Sequence, residues 1–171
     1  MKQKYILCAL AAAALLLSGC GILERMSPEE EARTAALVEQ RLDARSFRVD
    51  IESMSPMRGP RRMLTTPYSV TVHEGKVDSH LPYVGEAYNV PYGGGKVLTF
   101  KDDIEQYIED YSRPDRRIIN FTTDNDEDYI LYHFEIFPNG KATLRVSSHN
   151  RQAIDYMGTL DVDFDPAKPE K

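Results

Sequence analysis

Hydrophobic positions change their spacing twice along this chain, and each change marks a new element. From Ile6 to Leu17 the residues are apolar without a break, preceded by Lys2 and Lys4. That run is short of the roughly 20 residues that span a bilayer, so it reads as a signal-peptide h-region behind a positive n-region. Ser27-Pro28-Glu29-Glu30 then opens a helix: Ser as N-cap, Pro at the first helical position, Glu three residues after the cap. Ala35, Val38 and Leu42 give a narrow apolar stripe, with Glu39, Arg41 and Asp43 off it, which predicts a helix to about Arg45.

Beyond the helix the spacing becomes two. Phe47, Val49 and Ile51 alternate with polar residues, as do Tyr68, Val70 and Val72, and then Val77, Ser79 and Leu81 after the Glu74-Gly75 turn. Ser55 to Thr65 reads as a loop broken by Pro56, Gly59 and Pro60, and Pro82 to Gly95 as a second irregular stretch. Val97 to Phe100 predicts a short strand. Ile104, Tyr107, Ile108 and Tyr111 have helical spacing but strand-forming side chains, so this segment is open between helix and strand. Ile119 and Phe121 begin the next strand. Tyr129 to Phe137 is apolar at both parities, which predicts a central strand covered on both sides. Pro138-Asn139-Gly140 turns the chain into Ala142, Leu144 and Val146, and Ile154 to Phe164 alternates over one long last strand.

The predicted fold is therefore α+β and mostly β. An N-terminal helix packs on an antiparallel meander of about eight strands, as a curved sheet or small open barrel, covering one face or plugging one end. Residues 1–19 are a signal peptide, 20–26 a lipidated tether, 27–165 one domain, and 166–171 a disordered tail.

Leu17-Ser18-Gly19-Cys20 closes the apolar run. It resembles the lipobox of bacterial lipoproteins, in which a thiol takes the diacylglycerol thioether and small residues before it enter the signal peptidase. The resemblance implies cleavage before Cys20, acylation there, and membrane attachment by two or three acyl chains at about 0.8 kcal/mol per buried CH₂. Gly21, where an Asp would favour inner-membrane retention, points to the outer membrane and leaves the leaflet open.

Composition narrows the function. Losing Lys2 and Lys4 takes the net charge from -6 to -8. Such a surface argues against nucleic acid, which needs clustered Lys and Arg. The chain has two cysteines, and Cys8 leaves with the signal peptide, so Cys20 is the only thiol of the mature part. Neither a disulfide within the chain nor a Cys/His zinc cluster is expected.

Local motifs for chemistry are weak. Asp124 to Asp128 has D-x-D-x-D spacing, but Tyr129 stands where a calcium loop needs Gly, so a solvated hairpin tip is expected. Gly93-Gly94-Gly95-Lys96 runs into Val97-Leu98-Thr99-Phe100, a strand and not the helix a phosphate loop opens. Ser147, Ser148 and His149 are neighbours on one strand and cannot all converge. His73, His80 and His133 are isolated, with His133 expected to be half-buried and satisfied. Arg58, Arg61 and Arg62 form a basic loop cluster, read as solvated or as meeting lipid phosphates. No catalytic residue, metal or cofactor is assigned.

Two segments carry more information: Leu81-Pro82-Tyr83-Val84-Gly85-Glu86-Ala87-Tyr88, continuing to Val90-Pro91-Tyr92, and Asn150-Arg151-Gln152-Ala153-Ile154-Asp155-Tyr156-Met157-Gly158. Over residues 30–164 the chain resembles an uncharacterised family of Gram-negative envelope lipoproteins, a domain of unknown function, through LPYxGxAY and NRQxIxYxG patterns. The resemblance implies fold and address, not mechanism, and turns Ile104 to Tyr111 toward a strand paired with the segment after Asp115. Tyr83, Tyr88, Tyr92, Arg151 and Tyr156 are expected to share one patch, either a structural corner or a binding surface, with Arg151 stacked on a tyrosine face. The function expected is a non-catalytic binding or accessory module holding an envelope protein, a glycan or a small apolar ligand, beside the membrane its anchor enters. The alternative is an envelope hydrolase of unrecognised type.

Overall fold

Ser27 caps its helix as its residue type requires. Its side chain accepts from the Glu30 N–H, and the Glu30 carboxylate accepts from the Ser27 N–H at 2.8 Å. This element, α1 (Pro28–Asp43), belongs to a computed structural model that describes residues 26–85, 98–124 and 128–168. The helix stops two residues short of Arg45. There the chain enters the left-handed region (φ 47°), and Arg45 and Ser46 donate back to the Leu42 and Arg41 carbonyls.

Among the described residues nine strands follow: β1 (Phe47–Pro56), β2 (Arg62–His73), β3 (Lys76–Leu81), β4 (Leu98–Asp103), β5 (Gln106–Asp110), β6 (Arg117–Asp124), β7 (Tyr129–Ile136), β8 (Lys141–Ser148) and β9 (Ile154–Leu160). All are antiparallel in one sheet of order β4-β3-β2-β1-β9-β8-β7-β6-β5. Each half is a meander, and the first and last strands join the halves in the middle. The sheet curls strongly into a half-barrel. Its curl lets Tyr132 on β7 donate to Ser79 on β3 (3.0 Å), although four strands lie between them in the sheet. Ser79 in turn donates to the Leu98 carbonyl (2.9 Å).

Side chains fill the concave face. Tyr107, Phe121 and Tyr132 stack in register across β5, β6 and β7, and Phe134 meets Phe121 and the edge of Phe47, each at 5.9 Å between centroids. Helix α1 caps one end with Val38 and Leu42, its two buried residues, and Arg41 donates to the Val162 carbonyl. Arg117 fixes its last turns, bonding Glu39 and Asp43 of the helix and Glu109 of β5 (2.9 Å) while lying over the Tyr111 ring.

Several elements depart from the hydrophobic pattern. Within Ile104–Tyr111 the residues Gln106–Asp110 form strand β5, which accounts for the ninth strand. Strand β7 has neighbours on both edges, but only its concave face is covered; Tyr129 and Leu131 are exposed. Part of the expected loop at 55–65 is strand, since β1 reaches Pro56 and β2 begins at Arg62. The ladder breaks between Met63 and Tyr68, where Pro67 has no N–H to donate. The last strand stops at Leu160, because the Asp161 carboxylate accepts from the Asp163 N–H and turns the chain.

Strand β1 bulges at Glu52 against β9, where Ile51 and Ser53 face the adjacent residues Gly158 and Met157. The bulge presses the Asp50 carbonyl onto Gly158, where any Cβ would overlap that oxygen. Gly158→Ala is therefore expected to cost about 1–3 kcal/mol or more in urea unfolding, since backbone rather than a side chain must yield. An unchanged midpoint would show that β1 does not hold β9 this closely.

Candidate functional site

The two signature segments meet at the rim opposite α1. Leu81 ends β3 buried, and Pro82 turns the chain out of the sheet. The Pro82 carbonyl accepts from the Tyr156 hydroxyl at 2.6 Å, and Tyr83 donates its own hydroxyl to the Gln152 carbonyl at 3.1 Å. Burial pushes the Tyr156 phenol far above its usual range, with Tyr132 and Tyr83 adding to the effect, so it remains a proton donor. Tyr83 folds over Gly85, where a Cβ would overlap its ring and hydroxyl. The two tyrosines thus tie the segments together through hydroxyl-to-carbonyl bonds, and the two glycines leave room where a Cβ would overlap the Tyr83 ring at Gly85 and the Asp50 carbonyl at Gly158.

Arg151 follows the same segment and turns inward. Its side chain is 4% exposed and bonds the Asp128 carboxylate, 0% exposed, at 3.1 Å. Asp128 also accepts from the Ser148 hydroxyl and from the Asn150 N–H (3.2 Å). A carboxylate shut off from water needs this set of donors. The partner of Arg151 among the described residues is this carboxylate and not a tyrosine ring. Asp128, expected on a solvated tip, is a buried anchor instead. The available signal was its place immediately before β7, where a side chain beside a paired strand is easily covered.

Of the five residues assigned to one patch, the structure brings Tyr83 and Tyr156 to the same junction, with Arg151 adjoining Gln152. Tyr88 and Tyr92 lie outside the described residues, as do Cys20, the Gly93–Lys96 loop and residues 125–127. The serines and histidines stay apart. Ser148 is held by Asp128, His149 is exposed, His73 meets Ser46 (2.9 Å), His80 stacks on Tyr68, and His133 meets Asn120 (2.6 Å). Among the described residues no three His, Cys, Asp or Glu side chains are placed to hold a metal ion.

Concave surface lies outside the half-barrel. A cleft of about 630 Å³ runs between α1 and the chain after β9, past Met26, Leu37 and Val162. A second, of about 450 Å³, crosses the convex face of β1, β9, β8 and β7. Its floor is set by register: Ser55, Asp155, Arg145 and His133 stand opposite one another on successive strands, with Met157, Thr143 and Glu135 in the next row. Arg145 pairs with Asp155 (2.9 Å), Glu135 with Arg116 (2.6 Å), and Arg61 reaches in from the β1–β2 tip to the Ser55 hydroxyl (3.3 Å).

The sequence pattern of a family described as a domain of unknown function, DUF4251, matches residues 29–160, which take in α1 from its second residue, the nine strands of the described residues and both signature segments. The chain belongs to the DUF4251 family. A crystal structure of a DUF4251 family protein from Bacteroides eggerthii DSM 20697, at 1.95 Å resolution, superposes with a TM-score of 0.58. It shares 15% identity and covers 75% of this chain and 87% of its own, which establishes a common fold for the DUF4251 domain. No curated protein matches the chain.

Proposed function

We propose that this chain is a lipid-anchored protein of the cell envelope, held through acyl groups on Cys20 in the outer membrane, whose DUF4251 domain is a non-catalytic binding or accessory module. The anchor rests on the order of Lys2, Lys4, the Ile6–Leu17 run and Leu17-Ser18-Gly19-Cys20. The binding role rests on one observation: the concave interior is filled by its own side chains, with Tyr132 bonded across it to Ser79. A ligand therefore meets the outside of the domain. Its buried charges, Asp128 with Arg151 and Arg117 with Glu109, are matched to one another.

In cells fed a fatty-acid probe, the wild-type chain should take up label and partition into detergent, and Cys20→Ala should do neither. Equal labelling of the variant would remove the anchor from this reading.

A further inference from the structure

The convex groove differs from the rest of the surface. The chain carries net charge -6, yet Arg61 and Arg145 line this groove beside Asp155 and Glu135, and the Glu135 carboxylate is already paired with Arg116. Arg61 has no carboxylate partner among the described residues; its one bond there is to Ser55 at 3.3 Å. Arg62 stands exposed beside it at the same hairpin tip. Arg145 and Asp155 are each about half exposed, and exposed ion pairs are loosely held, so either group can exchange its partner for a ligand.

We propose that this groove binds a saccharide bearing an anionic substituent, Arg61 and Arg145 taking the carboxylate or phosphate and Asp155, Thr143 and His133 the ring hydroxyls. The proposal rests on the binding-module reading and gives that module a ligand class. Guanidinium forks match planar or tetrahedral oxyanions through paired N–H groups. Sugar hydroxyls need donors and acceptors side by side, and the β9–β8–β7 row supplies both in fixed register. Met157, 38% exposed, offers an apolar surface for a ring face. An extended acidic peptide fits less well. Peptides add to sheet edges through free main-chain groups, whereas β1, β9, β8 and β7 are paired on both sides and have none to spare.

The test is calorimetry on the full acylated chain in detergent, with tetragalacturonate as anionic probe, tetra-N-acetylchitotetraose as neutral sugar, inorganic phosphate as bare anion and tetraglutamate as acidic peptide. Tetragalacturonate should bind most tightly. Its affinity should fall about tenfold or more in Arg61→Ala/Arg145→Ala, and fall with added salt, as for contacts made by charged side chains. Arg33→Ala, on α1 away from the groove, should change nothing. The proposal is overturned if tetraglutamate or phosphate binds as well as tetragalacturonate, if the double variant binds unchanged while still folded by circular dichroism, or if no heat is seen. Absence of sugar binding, with material from native membranes still held by the double variant, would remove the groove and leave the module standing. Sugar binding accompanied by conversion of the sugar to product would keep the groove and remove the non-catalytic module.

Discussion

Arg151→Ala should lower the stability of the domain by about 3–5 kcal/mol, because it leaves the Asp128 carboxylate buried without its cation. In a domain of this size that corresponds to a melting temperature lower by about 10 °C. The size of the effect follows from burial: with side-chain exposures of 4% and 0%, water cannot take the place of the guanidinium. Of its described partners the Ser148 hydroxyl and the Asn150 N–H remain, and neither carries charge. Arg151→Met with Asp128→Asn removes both charges together and should recover part of the loss. Urea unfolding followed by circular dichroism measures all three proteins. A loss below about 1 kcal/mol for Arg151→Ala, an effect typical of surface positions, would show that this pair is solvated and that the rim is open to ligands.

Phe134→Ala should cost a comparable 3–5 kcal/mol or so, for a different reason. Phe134 is fully buried on the concave face and touches Phe47 edge-on and Phe121 face-on. Its removal opens a cavity walled by strands that cannot collapse without breaking their ladders. Leu131, on the same strand and 38% exposed, supplies the control, and Leu131→Ala should cost less than about 1 kcal/mol. Equal losses at the two positions would mean that both faces of β7 are covered. The same unfolding measurement decides it.

The contrast between Phe134 and Leu131 shows what the chain's pattern reveals and what it conceals. Alternation locates strands because one face of each is buried, and it did so for β1, β3, β6 and β8. On β7 the outward residues are apolar as well, and composition cannot distinguish a covered face from an exposed one. Helix α1 was legible from Ser27, Pro28 and Glu30, since capping is local chemistry. Its end was less so, because the helix closes on Arg45 in a left-handed conformation that favours Gly or Asn. The first half of β2 was obscured by Pro67 and by polar residues at the hairpin tip. Ile104–Tyr111 has side chains that suit either element, and pairing with β6 made the choice. The two signature segments led to the expectation that Tyr83 and Tyr156 lie at one junction, but not to the Pro82 and Gln152 carbonyls as the groups they bond. The partner of Arg151 was not anticipated either. A buried Asp and a solvated Asp look alike in sequence, and only the fold brings Asp128 under the last loop. The convex groove was invisible for a similar reason: its residues come from four strands and become neighbours only through register.

Mass spectrometry of the acylated chain withdrawn from native membranes in mild detergent, read for both protein and carbohydrate, tests the proposed module most directly. Wild-type protein should retain bound material, and Arg61→Ala/Arg145→Ala should lose it while staying folded and anchored. Wild-type protein that comes away bare, and that converts a component of the envelope extract into product, would contradict the binding module and establish an enzyme in its place.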